Sequence, residues 1–298
     1  MKFGVCVPNY GHTESVETLR KVAAAAEELG YDSVWTTDHV LMPTESGTPY
    51  ERILESISSL AYLAGTTNRI KLGISSLILA MRNPIVAVKQ LATIDNLSGG
   101  RLMLATSVGW NETEFKYLGS NFHDRGRRLD EYIQLIRTLW KGGMVEFEGK
   151  KSRIMFKGAV FEPRPVQEKL TVWISGNSKA AMTRAVNYGD AWHPNVYPLE
   201  LFRELVTEFR KIPNAAKTPI CVRIGMNMKS KSRDYTGPQG DRRLILTGDM
   251  TDNRNTLSEL ARMGVDYAVI APSPDGRATL EEQLDSLTNL RDEVIKRS

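Results

Sequence analysis

His39 stands at the end of the run Ser33-Val34-Trp35-Thr36-Thr37-Asp38, whose apolar start and polar finish read as a strand leaving a sheet. An imidazole so placed can exchange a proton near neutral pH, which makes His39 the first candidate for catalysis. Asp38 points the opposite way in an extended chain, so it is read as orienting a ligand rather than His39. Polar groups also follow other apolar runs: Ser75-Ser76 after Ile74, and Gly109-Trp110-Asn111. The two serines could offer hydrogen bonds, or simply fill space as small residues. Gly176-Asn177-Ser178 precedes a helix whose first N–H groups can bind phosphate, although the same residue types make ordinary caps.

Other chemistries lack their residues. The histidines His12, His39, His123 and His193 show no i, i+4 pairing, no carboxylate pair stands out at the strand ends, and no GxSxG elbow occurs. A metallohydrolase, a glycosidase and a serine hydrolase are disfavoured, and no metal site is expected. What remains is a hydroxyl- and glycine-rich rim suited to a cofactor that does the chemistry itself. Cys6 and Cys221 sit inside apolar runs and read as reduced, buried thiols. The net charge of +4 does not imply nucleic acid. Met1 to Gly11 reads as a first strand rather than a leader, and no apolar run approaches membrane-spanning length. The expectation is a cytoplasmic protein with a small-molecule substrate and neither a membrane nor a nucleic-acid partner.

The elements that must hold these residues alternate. In Asn68–Glu114 an apolar strand, a helix opened by Asn83-Pro84 and closed by Ser98-Gly99-Gly100, and a second strand from Leu102 form one unit. Further strands are read at Phe3–Val7, Ser33–Thr36, Leu170–Ile174, Gly189–Pro194, Pro219–Met226 and Tyr267–Ile270, with helices between them. Eight such units, without a Gly-rich dinucleotide fingerprint after the first strand, predict a single-domain α/β chain over 1–298: a (β/α)8 TIM barrel with its site at the strand C-termini. Residues 142–165 switch to period two and predict an inserted β-hairpin. Residues 227–249 read as a long, mobile basic loop before the last β/α unit, either a solvated loop or a lid over an anionic ligand.

Taken together, Trp35-Thr-Thr-Asp-His39, Leu72-Gly-Ile-Ser-Ser-Leu77, Arg82-Asn-Pro84, the stretch Lys89–Leu102 and Gly109-Trp-Asn-Glu112 resemble the bacterial-luciferase-like monooxygenase superfamily, most closely its coenzyme F420-dependent oxidoreductase branch. The resemblance covers nearly the whole chain, and Lys89–Leu102 is its most specific piece. It implies a TIM barrel holding a deazaflavin (F420) or, alternatively, a flavin (FMN), with a non-prolyl cis peptide within Ile74-Ser75-Ser76 behind the ring. It further implies Asp38 and His39 at the ring's reactive edge, Asn111 as a ring contact, and Gly176, Asn177 and Ser178 near the phosphate. The implied activity is hydride transfer between F420 and a small organic substrate, with His39 as proton donor or acceptor. The alternative is an FMN-dependent monooxygenase using reduced flavin and oxygen, served by a reductase partner. A homodimer is also implied, and the acidic tail of F420 would use the basic loop. The chain departs from its relatives at Ala80-Met81 and at Leu246-Thr-Gly-Asp249.

Overall fold

The structure is a computed structural model of the chain and describes residues 1–47 and 49–295. Its strands are β1 (Lys2–Cys6), β2 (Ser33–Thr36), β3 (Lys71–Leu77), β4 (Leu102–Thr106), β5 (Gly143–Glu148), β6 (Met155–Phe161), β7 (Val172–Ser175), β8 (Ala191–His193), β9 (Ile220–Met226), β10 (Asp234–Thr236), β11 (Arg242–Leu246) and β12 (Val265–Ala271). The helices are α1 (Val16–Glu28), α2 (Ser56–Thr66), α3 (Pro84–Ser98), α4 (Glu112–Tyr117), α5 (Arg125–Leu139), α6 (Lys179–Tyr188), α7 (Leu199–Arg210), α8 (Met250–Arg262) and α9 (Leu280–Glu293). Eight strands pair in parallel in the order β1-β2-β3-β4-β7-β8-β9-β12, and β12 returns to β1, so the sheet closes into the expected barrel. No helix among the described residues is long and apolar enough to cross a membrane.

The barrel strands are buried on both faces, which is why they read as continuous apolar runs. Outward residues pack on the helix ring, while Trp35, Met103, Trp173, Tyr267, Cys6 and Cys221 belong to a separate interior cluster. Trp35 governs its neighbours. It lies opposite Cys6 on β1 and Gly73 on β3, and a Cβ at either Gly4 or Gly73 would overlap its indole. Its ring stacks on Trp173 with centroids 4.8 Å apart, which fills the barrel beneath the site.

α3 shows how literally the local chemistry is obeyed. Asn83 caps it by accepting from the Ile85 and Val86 amides, Pro84 opens it, and Gly99 in the left-handed region ends it. β5 and β6 pair antiparallel in a two-stranded sheet of their own, within the hairpin read at 142–165.

The segment 227–249 is not the long loop expected from sequence but holds two strands. β10 and β11 form an antiparallel ribbon, and β11 joins β9 in parallel, with Ile245 opposite Gly225 and Leu246 opposite Met226. Leu244, Ile245 and Leu246 are buried, an apolar run too short and too closely flanked by arginines to stand out. Most cations of the segment face acids: Lys229 pairs with Glu282, Arg233 with Asp252, Arg242 with Asp234 and Arg243 with Asp241.

Candidate functional site

A cavity of about 920 Å³ opens at the C-terminal ends of the barrel strands. Its walls come from the ends of β2 and β3, the β7–α6 turn, His193 and Arg223, the loop before α4, the first turn of α5, and the β10–β11 ribbon. Of the residues named from sequence, Asp38, His39, Ser75, Ser76, Gly176, Asn177 and Ser178 line it. Ile74 and Asn111 do not. Ile74 is fully buried in the packing between strands and helices, and Asn111 turns away to cap α4.

That cap leads to a group the sequence reading missed. Asn111 accepts from the Glu114 amide at 3.0 Å, starting a helix that points Glu114 back at the end of β2. The Glu114 carboxylate, 1% exposed, accepts from His39 Nδ1 at 2.7 Å and from the Val40 amide at 2.7 Å. An ionised carboxylate only accepts, which makes Nδ1 the donor of this pair and leaves Nε2 as the other ring nitrogen. Tyr50 stacks on the imidazole with centroids 4.6 Å apart, and Trp110 meets it edge-on at 5.7 Å. The Asn111-x-x-Glu114 spacing signals a helix start, but the reach from Glu114 to His39 spans 75 residues and has no local signature.

Asp38 is more tightly held than a ligand-orienting carboxylate would be. Its oxygens accept from Ser56 Oγ at 2.7 Å and the Ile78 amide at 2.9 Å, and Arg82 pairs with it. These bonds lock the end of β2 to the segment that follows β3. The floor lies between them. The cis peptide falls at Ser75–Ser76, where the β3–β4 register shifts. Ser76 donates to Ser175 Oγ at 2.6 Å, and the Ser75 carbonyl accepts from Arg223 at 2.6 Å.

His193 fixes the Ser75 hydroxyl. Burial, with Arg223 nearby, holds its pKa down to about 4, so the ring is neutral at pH 7. Its Nδ1–H donates to the Cys221 carbonyl, and Nε2 therefore accepts from Ser75 Oγ at 2.8 Å. His193 is thus a neutral, buried support for the Ser75 hydroxyl.

The opposite wall is basic. Gly176 adopts φ of 128°, Ser178 caps α6 through the Ala181 amide, and Asn177 bonds the Asn195 backbone in both directions at 2.8 and 3.0 Å. The Asn177 side chain thereby ties two loops together. Arg125 and Arg127 at the start of α5, with Arg184 on α6, complete this wall, a basic surface separate from the 227–249 segment that the sequence reads as either a solvated loop or a lid over an anionic ligand. Arg184 is paired with Asp130, whereas neither Arg125 nor Arg127 is in a salt bridge among the described residues. The run His123-Asp-Arg-Gly-Arg-Arg128 carried this signal.

Known proteins share the family and the fold of this chain. The model of the luciferase-like monooxygenase family matches residues 1–227. The chain is 29% identical over 223 residues to an FMNH2-dependent dimethylsulfone monooxygenase of Pseudomonas putida, covering 74% of this chain and 59% of that enzyme. The chain thus spans about three-fifths of the length of that curated relative. Among solved structures, monooxygenase RslO1 from Streptomyces bottropensis superposes with a TM-score of 0.79 at 17% identity, covering 100% of this chain and 99% of that one. An F420-dependent secondary alcohol dehydrogenase, solved with an F420–acetone adduct, gives 0.75 at 16% identity over 99% and 98% of the two chains. The chain belongs to the luciferase-like monooxygenase family.

Proposed function

We propose that this family member is an oxidoreductase moving a hydride between coenzyme F420 and a small organic substrate, with His39 exchanging the accompanying proton. The observation that carries the choice of cofactor is the basic mouth. Arg125 and Arg127 line the cavity with the Gly176–Ser178 turn and are in no salt bridge among the described residues, and F420 carries a phosphate and an acidic tail. The residues present fit a flat ring bearing polar edges: a floor of small hydroxyl residues at Ser75 and Ser76, aromatic side walls at Tyr50 and Trp110, and helix N-terminal amides at the far end.

When bound, the deazaflavin would supply the hydride chemistry that no side chain here can perform. The chain's own residues do the rest. Glu114 fixes the His39 tautomer so that Nε2 can take or return one proton. Asp38, tied to Ile78, keeps that imidazole in register with the Ser75–Ser76 floor. Tyr50 and Trp110 pack about the ring and limit water there. Assembly as a homodimer and supply of reduced cofactor by a partner reductase belong to the same reading.

A second reading, an FMN-dependent monooxygenase, is favoured by the activity named for the dimethylsulfone relative. Titrating the purified protein with F420 and FMN side by side separates the two. Tighter binding of F420 is the expected result. Binding of FMN without F420, with oxygen consumed on adding reduced FMN, would overturn it in favour of the second.

A further inference from the structure

The acids lining the cavity are all matched. Asp38 pairs with Arg82, Asp130 with Arg184 and Asp241 with Arg243. Arg223 is different. It crosses the barrel interior from β9 to β3, donating to the Ser75 carbonyl at 2.6 Å, to Thr37 Oγ1 at 3.1 Å and to Tyr10 Oη at 3.5 Å. All three acceptors are neutral, and no carboxylate forms a salt bridge with it among the described residues. These bonds engage three of the five guanidinium N–H groups, and Arg223 lines the cavity. The guanidinium stays charged, and a charge drawn away from water without a counter-ion is costly unless something completes it. Burial pushes the Tyr10 and Tyr235 hydroxyls and the Cys6 thiol up, so all three stay neutral.

Position narrows the choice of ligand. Arg125 and Arg127 lie at the start of α5, toward the mouth, whereas Arg223 shares Thr37 with the strand end that carries His39. We propose that Arg223 docks a planar monoanionic group, a carboxylate or a delocalised enolate-type oxyanion, beside the nitrogen of His39 that handles the proton. The proposal rests on the oxidoreductase reading only for the source of that anion, which is either a carboxylate or oxyanion of the substrate or the ionised ring of the cofactor.

Calorimetric titration with benzoate and its neutral isostere benzamide tests it. Cofactor-free wild-type protein is expected to bind benzoate about tenfold more tightly, or better, as a charge-assisted pair requires. Arg223→Met should abolish the preference and Arg223→Lys should retain much of it. Arg223→Gln, which keeps a neutral donor toward Ser75, serves the same purpose as the methionine variant if that protein fails to fold. Equal binding of the two probes by the wild-type protein, or a benzoate preference that survives Arg223→Met or Arg223→Gln, would overturn the assignment. Once the benzoate site is shown to depend on Arg223, saturation with F420 or FMN identifies the source. Benzoate that still binds places a substrate anion there, and competitive displacement places the ionised ring there. A benzoate preference without binding of either cofactor would sink the oxidoreductase reading and leave this one standing.

Discussion

Replacing His39 with alanine should lower kcat by about 10²–10⁴-fold while cofactor affinity stays within a few-fold, because the side chain is assigned to proton exchange and not to holding the ring. Steady-state rates and a binding titration on the same preparation check both halves. Glu114→Gln is the sharper variant. Its amide can donate to Nδ1 and so favour the opposite His39 tautomer, which should depress kcat with KM little changed; a wild-type rate would show that the tautomer is irrelevant. His193 makes a prediction about stability. Its pKa is about 4 when folded and near 6.5 when unfolded, so the unfolded chain binds more protons between those values. The stabilisation from keeping it neutral is full above pH 6.5 and is lost as pH falls toward 4. Denaturant unfolding should therefore show a loss on the order of 2 kcal/mol between pH 7 and pH 5 from this group, and His193→Asn should remove that part of the dependence. At this scale the sequence was legible where a residue's position at the cavity follows from its place at a strand end, as for His39 and Ser75-Ser76. It was illegible where the partner comes from elsewhere: Glu114, Arg223 and the neutral state of His193 depend on contacts spanning 75 to 148 residues.

Among the elements, α4 is short, at six residues, and its start matters more than its length. Asn111→Ala removes the acceptor for the Glu114 amide and should cost about 1 kcal/mol of stability. It should also weaken the Glu114–His39 contact, so kcat falls while ring affinity holds; a loss of cofactor affinity alone would return Asn111 to the ring-contact role expected from resemblance. β3 offers a second test. Gly73→Ala would drive a methyl group into Trp35 and should destabilise by roughly 1–3 kcal/mol, read by thermal unfolding. The barrel strands and α3 were legible because buried parallel strands and caps leave strong local patterns. The ribbon at β10–β11 was not, since Leu244, Ile245 and Leu246 are hidden among charges whose partners, such as Glu282 and Asp252, lie on other elements.

Across the whole molecule, the closed barrel brings the His39 imidazole, the Ser75–Ser76 cis peptide and the Arg223 guanidinium to the same mouth, with a basic wall opposite. Alternation of elements predicted where that mouth lies, and the charge balance of its wall emerges only once the loops are placed together. The most direct test is a crystal structure of the protein with F420 bound. The ring should lie against Ser75–Ser76, with its reactive edge within about 3–4 Å of His39 Nε2 directly or through one water and its tail toward Arg125 and Arg127. A ring bound away from that floor, or facing it with the edge remote from His39, would rule out His39 as the proton-exchanging group.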